Sequence, residues 1–238
     1  MKSLKVMTFN VQHFLDWSNK IIDIALFADF IKSCDVDICG LNEVRGEGPI
    51  DGYTDQTNAL ADRISYERYF GEAIKVHGSS PYGNAIISRL PLKSADTIKI
   101  PDPLIKIGGR YESRCVVKAV IDVNGKDVMF LVCHMGLMRS ERKNAVKTIC
   151  RLLDECSLPC ILMGDFNTKS DDKVLDPIYE RMRDTDALSS EHNMPTYPSY
   201  KPESKIDYIF FRNMSCVGVK TLSDVVSDHL PITAEFAI

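Results

Sequence analysis

The stretch Ile161-Leu162-Met163-Gly164-Asp165-Phe166-Asn167 decides how the rest of the chain is interpreted. A short apolar run over residues 160–163, closed by a glycine, predicts a buried strand. Beyond its end Asp165 and Asn167 alternate with Phe166, so an extended backbone would direct both polar side chains to one face. A carboxylate and an amide placed in this way can hold a water molecule, a metal ion or a phosphoryl oxygen. The same residue types also suit a plain turn between a strand and a helix.

The composition is that of a globular protein with a full core, since 45% of the residues are hydrophobic. No linker, low-complexity tract or internal repeat divides the 238 residues, so one domain over residues 1–238 is predicted. The formal net charge of −4 comes from 33 acidic and 29 basic residues that are interspersed along the chain. This balance argues against a strongly basic surface that wraps nucleic acid.

The cellular context is predicted from three features of the sequence. The first seven residues lack the apolar core and cleavage site of a secretory signal. No run of about 18 apolar residues is present, so no membrane span is expected. The eight cysteines, in a chain without an export signal, are expected to stay reduced. A cytoplasmic location is the resulting expectation, and a monomer is expected as well.

The amino-terminal part of the chain predicts a strand, a helix and a second strand. Residues 4–11 alternate in polarity and place Asn10 at the end of the first strand. Ser18 is expected to cap the following helix, whose apolar residues recur at helical spacing. The second strand, over residues 36–41, delivers Glu43 to its end. Open α/β sheets assemble their sites in this way, although Glu43 as an ordinary surface residue is the alternative.

The remainder of the chain predicts further strands with polar residues at their ends or in adjoining turns. Asn124-Gly125 is the strongest hairpin signal, and the strand after it ends at His134. Ser140 is expected to open the longest helix, and Ser170 is expected to cap a shorter one. A long polar loop is predicted over residues 184–205. Pairs of antiparallel strands between helices predict a two-sheet sandwich that is faced by helices.

Polar side chains are therefore expected at six places near strand ends. They are Asn10, Glu43, His134, Asp165 with Asn167, Asp207, and Asp228 with His229. Two histidines, four carboxylates and two amides form the set that a metal-assisted attack on phosphorus requires. Carboxylate and amide oxygens suit Mg²⁺, which is a hard cation. Histidines exchange protons near neutral pH, and Asp228 could set the tautomer of His229 if the two side chains meet.

The order of these motifs and their amino-acid sequences resemble those of the endonuclease/exonuclease/phosphatase family of deoxyribonuclease-like phosphohydrolases. The motifs are Thr8-Phe9-Asn10-Val11, Leu41-Asn42-Glu43-Val44, Gly83-Asn84-Ala85-Ile86-Ile87-Ser88, His134-Met135-Gly136-Leu137, Gly164-Asp165-Phe166-Asn167, Lys205-Ile206-Asp207-Tyr208-Ile209-Phe210 and Ser227-Asp228-His229-Leu230-Pro231. They span nearly the whole chain in the family's order. The resemblance implies an α/β (α+β) fold, a four-layer α-β-β-α sandwich of two mixed sheets flanked by helices.

The resemblance also implies a divalent cation. A Mg²⁺ (or Mn²⁺) site would be centred on Glu43, with Asn10 and with Asp207 or Asp228 close by. The carboxylate and amide oxygens of these residues agree with the ligand preference of such a cation. A metal-dependent hydrolase of phosphate esters is the implied class of enzyme.

The remaining motif residues are implied to act on the substrate. Asp165 and Asn167 would position the attacking water and the phosphoryl group. His134, together with His229 oriented by Asp228, would flank the scissile phosphate, stabilise negative charge and serve in proton transfer. Which group deprotonates the water stays open in this resemblance.

Two further positions and two departures from the family pattern refine the comparison. Arg114 and Asn84 match positions near the phosphate and are implied substrate contacts. Relatives often have Thr-His-Leu where this chain has Cys133-His134-Met135. A histidine at this position points away from the abasic-site endonuclease branch. The sequences around His134 and at residues 196–199 are most similar to those of small bacterial members of the family.

A phosphate-ester hydrolase is the leading prediction, and a catalytically silent binding or scaffold protein of the same fold is the alternative. Small phosphodiesters or nucleic-acid ends are the preferred substrates, because few basic residues are expected near the site. Phe14 and Trp17 could contact a base or a lipid, but packing against the helix expected at Ser18 is preferred. A lipid head-group phosphodiesterase would favour export and an exposed apolar hairpin, and the sequence predicts neither.

Overall fold

A computed structural model of the chain describes residues 3–189 and 194–237. Its strands are β1 (Ser3–Asn10), β2 (Ile38–Arg45), β3 (Glu67–Val76), β4 (Ser80–Ser88), β5 (Leu92–Lys99), β6 (Cys115–Val123), β7 (Lys126–His134), β8 (Cys160–Asp165), β9 (Arg183–Asp184), β10 (Asp207–Arg212), β11 (Ser215–Thr221) and β12 (Ile232–Ala237). Its α-helices are α1 (Ile24–Ser33), α2 (Gln56–Ile64), α3 (Arg139–Asp154) and α4 (Asp176–Tyr179). Short 3-10 helices cover Gln12–Phe14, Lys173–Leu175 and Thr185–Leu188.

The strands form two mixed sheets of six strands each. The first has the order β11-β12-β1-β2-β4-β3, and the second has the order β5-β6-β7-β8-β10-β9. In the first sheet β1 pairs with β2 in parallel, and in the second β7 pairs with β8 in parallel, whereas the other neighbours are antiparallel. Each parallel pair is joined by a helix, α1 or α3, as a parallel connection requires.

Three apolar clusters hold the layers together. One lies between the two sheets and includes Val6 and Ile38 from the first and Phe130 and Ile161 from the second. A second packs α3 and α4 on the outer face of the second sheet, and a third packs α1 and α2 on the outer face of the first sheet. The architecture is therefore the four-layer α-β-β-α sandwich that was expected. Since strands buried on both faces read as continuous apolar runs, residues 160–163 were recognisable from the sequence.

Most of the predicted strands and the Asn124-Gly125 hairpin are confirmed. The helix expected at Ser18 begins instead at Ile24, where Asp23 accepts a hydrogen bond from the Leu26 amide. Residues 15–22 form a loop that is closed by an isolated antiparallel β-bridge between Leu15 and Ile22. Ser18 is consequently not a helix cap.

Two further expectations from the sequence need correction. The helix expected after Ser170 is a 3-10 turn capped by Asp172, followed by the short α4. Phe14 is fully buried and packs edge-on against Phe27 of α1, so it contacts neither a base nor a lipid. Of the polar segment predicted over residues 184–205, residues 190–193 lie outside the described residues. Among the described residues, no helix combines the length and apolarity that crossing a bilayer requires.

Candidate active site

The four parallel strands bring their carboxyl ends to one edge of the sandwich. Asn10 closes β1 and His134 closes β7, while Asp165 closes β8 directly opposite His134 in the register. Glu43 stands near the end of β2. Because both β-α-β units end at the same edge, residues from the two sheets meet there.

Asn10 joins the two sheets at the centre of this edge. Its side-chain Nδ2 donates hydrogen bonds to Glu43 Oε1 and to Asp165 Oδ2, each at 3.1 Å. Its Oδ1 accepts from the Gln12 amide at 3.1 Å. One amide therefore bridges two carboxylates that stand on different sheets, and it holds them close in spite of their like charge.

Glu43 is directed into the site by an irregularity in β2. The register of β2 against β4 shifts between Asn42 and Val44, and Glu43 has a φ of +62°. An extra residue in a strand re-aims its side chain, as β-bulges beside active sites do. Tyr82 donates its hydroxyl to Glu43 Oε2 at 2.8 Å. The sequence placed Glu43 at a strand end but contained no signal for the bulge or for this tyrosine.

Asn42 links the sheets beneath the site, and no pattern in the sequence indicated this role. Its Nδ2 donates to Asn84 Oδ1 at 2.9 Å and to the Cys133 carbonyl at 3.2 Å. Its Oδ1 accepts from the Asp165 amide at 2.9 Å. Asn84 also donates to the Cys115 carbonyl at 3.0 Å and is buried. The expected contact between Asn84 and substrate is therefore not supported, because the structure places this amide behind the site rather than in it.

Asp165 occupies the middle of the site with its carboxylate almost fully buried. Its Oδ1 accepts from the Asn167 amide at 2.8 Å, which fixes the turn after β8. Burial raises the pKa of Asp165 from 3.8 to about 7. His229 opposes the rise in pKa, whereas the charges of Asp207 and Glu43 add to it. In the absence of a cation, this carboxyl group thus titrates near neutral pH.

His229 is held by Asp207 and not by its neighbour Asp228, so the expectation from the sequence is wrong on this point. The His229 Nδ1 atom lies 2.9 Å from Asp207 Oδ2, which also accepts from the Thr196 hydroxyl. His229 Nε2 lies 3.8 Å from Asp165 Oδ2. Burial alone would lower the pKa of His229, but the carboxylates of Asp207 and Asp165 outweigh it and raise the pKa to about 10. The ring is therefore a cation at neutral pH.

His134 is the neutral histidine of the site. Arg114 Nη1 lies 3.1 Å from His134 Nδ1, and Asn167 Nδ2 lies 3.0 Å from His134 Nε2. Burial, together with the positive charges of Arg114 and His229, holds the pKa of His134 well below its usual value. The Arg114 guanidinium and the Asn167 amide nitrogen are both donors, so both ring nitrogens face donors and the neutral ring accepts a hydrogen bond from one of them. Asp165 Oδ2 is 3.5 Å from His134 Nε2.

Asp228 lies on the other side of the site and contacts the segment after β1. Its Oδ2 accepts from Gln12 Nε2 at 3.0 Å. Burial raises its pKa, with His229 opposing the rise and Glu43 adding to it. Gln12, His13 and Phe14 have φ angles of +42°, +49° and +61°. Three successive left-handed residues are costly for L-amino acids, at about 1–2 kcal/mol each, and such strain is typical of functional segments.

A cavity of about 550 Å³ opens over these residues. It is lined by His13, Glu43, Arg45, Tyr53, Ile74, Val76, Tyr82, Arg110, Glu112, Arg114, His134, Leu137, Asp165, Asn167, Tyr197, Ile206, Asp228 and His229. The sequence did not identify His13, Arg45, Tyr82 or Tyr197, since each comes from a loop or strand whose path is set by the tertiary fold. Another cavity, of about 800 Å³, lies on the outer face of α3 and contains none of the catalytic candidates.

A metal ion has potential ligands at this edge. Asp165, Asp207 and His229 each bring one ligand atom within 4.8 Å of the others, but this group could hold an ion only with the His229 ring deprotonated. Asp207 Oδ1 is buried without a hydrogen-bond partner among the described residues. In addition, the charge of Glu43 raises the pKa of both Asp165 and Asp228. Mutually repelling, partly unsatisfied carboxylates of this kind fit a hard divalent cation.

The model of the endonuclease/exonuclease/phosphatase family matches residues 7–229. A search of curated proteins gave no match.

Solved structures of similar fold include two that carry the same family name. An endonuclease/exonuclease/phosphatase from Beutenbergia cavernae is 24% identical, with a TM-score of 0.83, over 99% of this chain and 72% of that one. A family protein from Leptotrichia buccalis is 23% identical, with a TM-score of 0.80, over 99% and 100% of the two chains. A mannosyl-6-phosphatase from Bacteroides thetaiotaomicron is 17% identical, with a TM-score of 0.79, over 99% and 100%. These likenesses show the fold.

Proposed function

Since the chain belongs to the endonuclease/exonuclease/phosphatase family, we propose that it is a divalent-metal-dependent hydrolase that cleaves phosphate esters by attack of an activated water on phosphorus. The observation that carries this proposal is the position of Asp165. Its Oδ2 lies 3.5 Å from the neutral His134 and 3.8 Å from the cationic His229. A buried carboxylate between a neutral imidazole and a cation is suited to hydrolysis of a charged ester.

The proposed roles follow from the charges of the side chains. Asp165, with a pKa of about 7, accepts the proton of the attacking water, because a base works best with a pKa near the operating pH. His229, held cationic by Asp207, stabilises the negative charge that grows on the phosphoryl oxygens. His134 serves in proton transfer at the scissile phosphate, and Asn167 positions the phosphoryl group beside it.

The metal is proposed to be Mg²⁺ or Mn²⁺, and Glu43, Asn10 and Asp228 would hold it. Asp207 is assigned to His229 instead, since its Oδ2 already accepts from that ring. When bound, the cation supplies Lewis-acid stabilisation of the phosphoryl oxygens. Oxygen ligands of this type are those that Mg²⁺ requires.

The substrate is proposed to be a small phosphodiester or the end of a nucleic acid. Arg45, Arg110 and Arg114 are the arginines that line the cavity, and this small number suits a short anionic substrate better than a long duplex. The mannosyl-6-phosphatase among the similar structures supports hydrolysis of phosphate esters by this fold. A catalytically silent scaffold is disfavoured, because every side chain of the catalytic set, namely His134, Asp165, Asn167, Asp228 and His229, is present and lines the same cavity.

The test is hydrolysis of bis-p-nitrophenyl phosphate beside p-nitrophenyl phosphate, with Mg²⁺, with Mn²⁺ and with a chelator. The variants Asp165→Ala, Glu43→Ala and His229→Ala should each reduce turnover by roughly 10²- to 10⁴-fold while remaining folded. Asp171→Ala, which changes an exposed carboxylate, is the matched control and should retain full turnover. Near-normal turnover in folded His229→Ala protein would contradict the proposal.

A further inference from the structure

The first sheet supplies one wall of the active-site cavity, and this wall contains an arginine that the catalytic set does not use. Arg45, Tyr82 and Ile74 stand opposite one another on β2, β4 and β3, and all three line the cavity. Tyr53 and Val76 also line it. We call these residues the Arg45 wall. Its combination of one cation with aromatic and aliphatic side chains suits a ligand that has both a charged and an uncharged part.

Arg45 is held in one orientation by contacts of its backbone and of its side chain. The Arg45 amide donates to Gln56 Oε1 at 2.8 Å, and Nη1 donates to the Gly52 carbonyl at 3.2 Å. The guanidinium carbon lies 4.7 Å from the centroid of the Tyr53 ring. Because the side chain is ordered before a ligand arrives, binding costs less conformational entropy.

The guanidinium of Arg45 keeps free hydrogen-bond donors. Within the described ranges it forms no ion pair, and its Nη2 atom has no hydrogen-bond partner there. The carboxylate of Glu43 in the same strand is occupied by Asn10 at Oε1 and by Tyr82 at Oε2. A guanidinium with free donors binds a phosphate group through two parallel hydrogen bonds.

The other arginines of the cavity differ from Arg45, because each meets a carboxylate. Glu112 lies 2.6 Å from Arg110 and 3.0 Å from Arg114. Arg114 also contacts His134 at 3.1 Å and therefore belongs to the catalytic centre. Among the described residues that line the cavity, Arg45 is thus the arginine whose charge has no ion-pair partner.

The register of the first sheet places Arg45 a short distance from the catalytic centre. Asn10 at that centre stands in one row with Asn42 and Asn84. Tyr82, opposite Arg45, lies two residues from Asn84 along β4, which corresponds to roughly 7 Å between the two rows. One pentose holds its 3′- and 5′-phosphates at a comparable separation. A group at Arg45 and the scissile phosphate can therefore belong to one small molecule.

We propose that Arg45 binds a second phosphate of the substrate, which is not hydrolysed and sits on the same sugar as the scissile phosphate. The inference rests on the proposed function, since it names the substrate class of the same site. The second phosphate accepts from the free edge of the guanidinium, and Tyr53, Ile74 and Val76 pack on the uncharged part of the ligand. A nucleoside that carries phosphates at both its 3′ and 5′ positions, free or at the end of a nucleic acid, satisfies the whole wall.

The test compares two chromogenic esters that differ in a single phosphate, thymidine 5′-(p-nitrophenyl phosphate) and its 3′-phosphorylated form, with Mg²⁺. The wild type should hydrolyse the 3′-phosphorylated ester with a kcat/KM roughly 10- to 100-fold higher, as a hydrogen-bonded contact between charged groups provides. Arg45→Gln should reduce the ratio of the two kcat/KM values at least fivefold. The ratio cancels any effect of the substitution that is common to both esters.

Matched controls remove other arginines. Arg63→Gln changes an exposed arginine on α2 outside the cavity, and it should leave both kcat/KM values unchanged. Arg110→Gln changes a cavity arginine that is paired with Glu112, and the ratio should stay within about twofold of the wild-type ratio. Arg45→Lys keeps the charge but not the planar fork, so it should restore only part of the ratio. The thermal unfolding midpoint of Arg45→Gln should match that of the wild type.

The inference and the proposed function fail in different ways. Release of p-nitrophenol from both esters at equal kcat/KM would overturn the inference and leave the proposed function intact. A preference for the 3′-phosphate that Arg45→Gln leaves unchanged would place the second phosphate elsewhere and also overturn the inference.

Absence of turnover with either ester would contradict the proposed function, and binding would then decide about Arg45. Titration calorimetry with thymidine 3′,5′-bisphosphate and with thymidine 5′-phosphate gives that answer without catalysis. At least tenfold tighter binding of the bisphosphate, abolished by Arg45→Gln, would sustain the Arg45 site. Equal affinities for the two nucleotides would overturn it.

Discussion

His229 owes its orientation and charge to a carboxylate that precedes it by 22 residues. Asp207 accepts from its Nδ1 atom, so Nε2 is left to face Asp165. A buried carboxylate that fixes a histidine tautomer and stabilises the imidazolium is the arrangement found in catalytic triads. The charge of His229 is thus a property of the pair and not of the histidine alone.

Replacing Asp207 by asparagine should separate orientation from charge. The amide oxygen of Asp207→Asn can still accept from Nδ1, but the negative charge is lost. We expect the pKa of His229 in the metal-free protein to fall from about 10 toward its usual value, and turnover to fall roughly 10²-fold. Titration of the histidine ring resonances by NMR measures the change in pKa.

Asp228→Asn is the matched control, because it removes an equal charge that does not hydrogen-bond the ring. It should lower the pKa of His229 by much less than Asp207→Asn does. If Asp228→Asn produced the larger fall, the assignment of Asp207 as the partner would be wrong.

Single residues were predictable from the sequence where the signal is local. The alternation of Asp165, Phe166 and Asn167 predicted two polar side chains on one face, and the structure places both in the cavity with Phe166 in the core. The partner of His229 was not predictable, because Asp228 is nearer in sequence and only the strand pairing of β10 brings Asp207 under the ring.

At the scale of elements, the approach of β7 to β8 depends on Gly164. Its φ is +143°, and a Cβ at this position would lie 1.8 Å from the Cys133 carbonyl oxygen. That carbonyl also accepts from Asn42, so it cannot move away without breaking the link between the sheets. A side chain at Gly164 would therefore push apart the two strands that carry His134 and Asp165.

Gly164→Ala should reduce the free energy of unfolding by more than about 3 kcal/mol or prevent folding, through backbone strain and the steric clash. Gly218→Ala on β11 is the control, since a Cβ there meets no atom within 4 Å, and it should change stability by less than about 0.5 kcal/mol. Guanidinium unfolding followed by circular dichroism compares the two. Equal unfolding midpoints for the two variants would show that β7 and β8 can move apart at Gly164 without loss of stability, which would contradict this prediction.

The start of α1 shows why element boundaries could be predicted only in part. Ser18 and Asp23 are both good cap residues, and local preference alone favours neither. The left-handed residues 12–14 and the Leu15–Ile22 bridge turn the chain into a loop, so the helix cannot begin before Ile24. Glu43 reaches the site through a bulge for the same reason, since its position depends on pairing with β4.

At the scale of the whole molecule, two β-α-β units place their strand ends together, and like charges accumulate at the shared edge. The layer pattern was predictable because helical and strand periodicities differ along the chain. The order of strands within each sheet was not, because the partners β1 and β12 lie at opposite ends of the sequence. The architecture therefore concentrates carboxylates whose mutual repulsion affects the stability of the entire fold.

Burial and charge at this edge together predict how stability changes with pH when no metal is bound. The folded pKa values of Asp165 and His229 are raised, to about 7 and about 10. Each group therefore contributes stability that is fully present below its unfolded pKa, 3.8 for Asp165 and 6.5 for His229, and is lost as pH rises through its folded pKa. We expect the unfolding temperature in chelator to fall between about pH 4 and about pH 7 through Asp165.

The comparison with Asp165→Asn isolates that contribution. This variant keeps a side chain of nearly the same shape but cannot ionise, so its unfolding temperature should fall less over the same pH range. Saturating Mg²⁺, at about 100 times its dissociation constant, should restore about 2.7 kcal/mol to the wild type at neutral pH, and less at acid pH where protons compete for the carboxylates. Differential scanning calorimetry with chelator and with Mg²⁺ measures both effects. An identical pH dependence in wild type and Asp165→Asn would mean that Asp165 ionises in the folded protein as easily as in water, and the role proposed for it as a base near neutral pH would lose its physical ground.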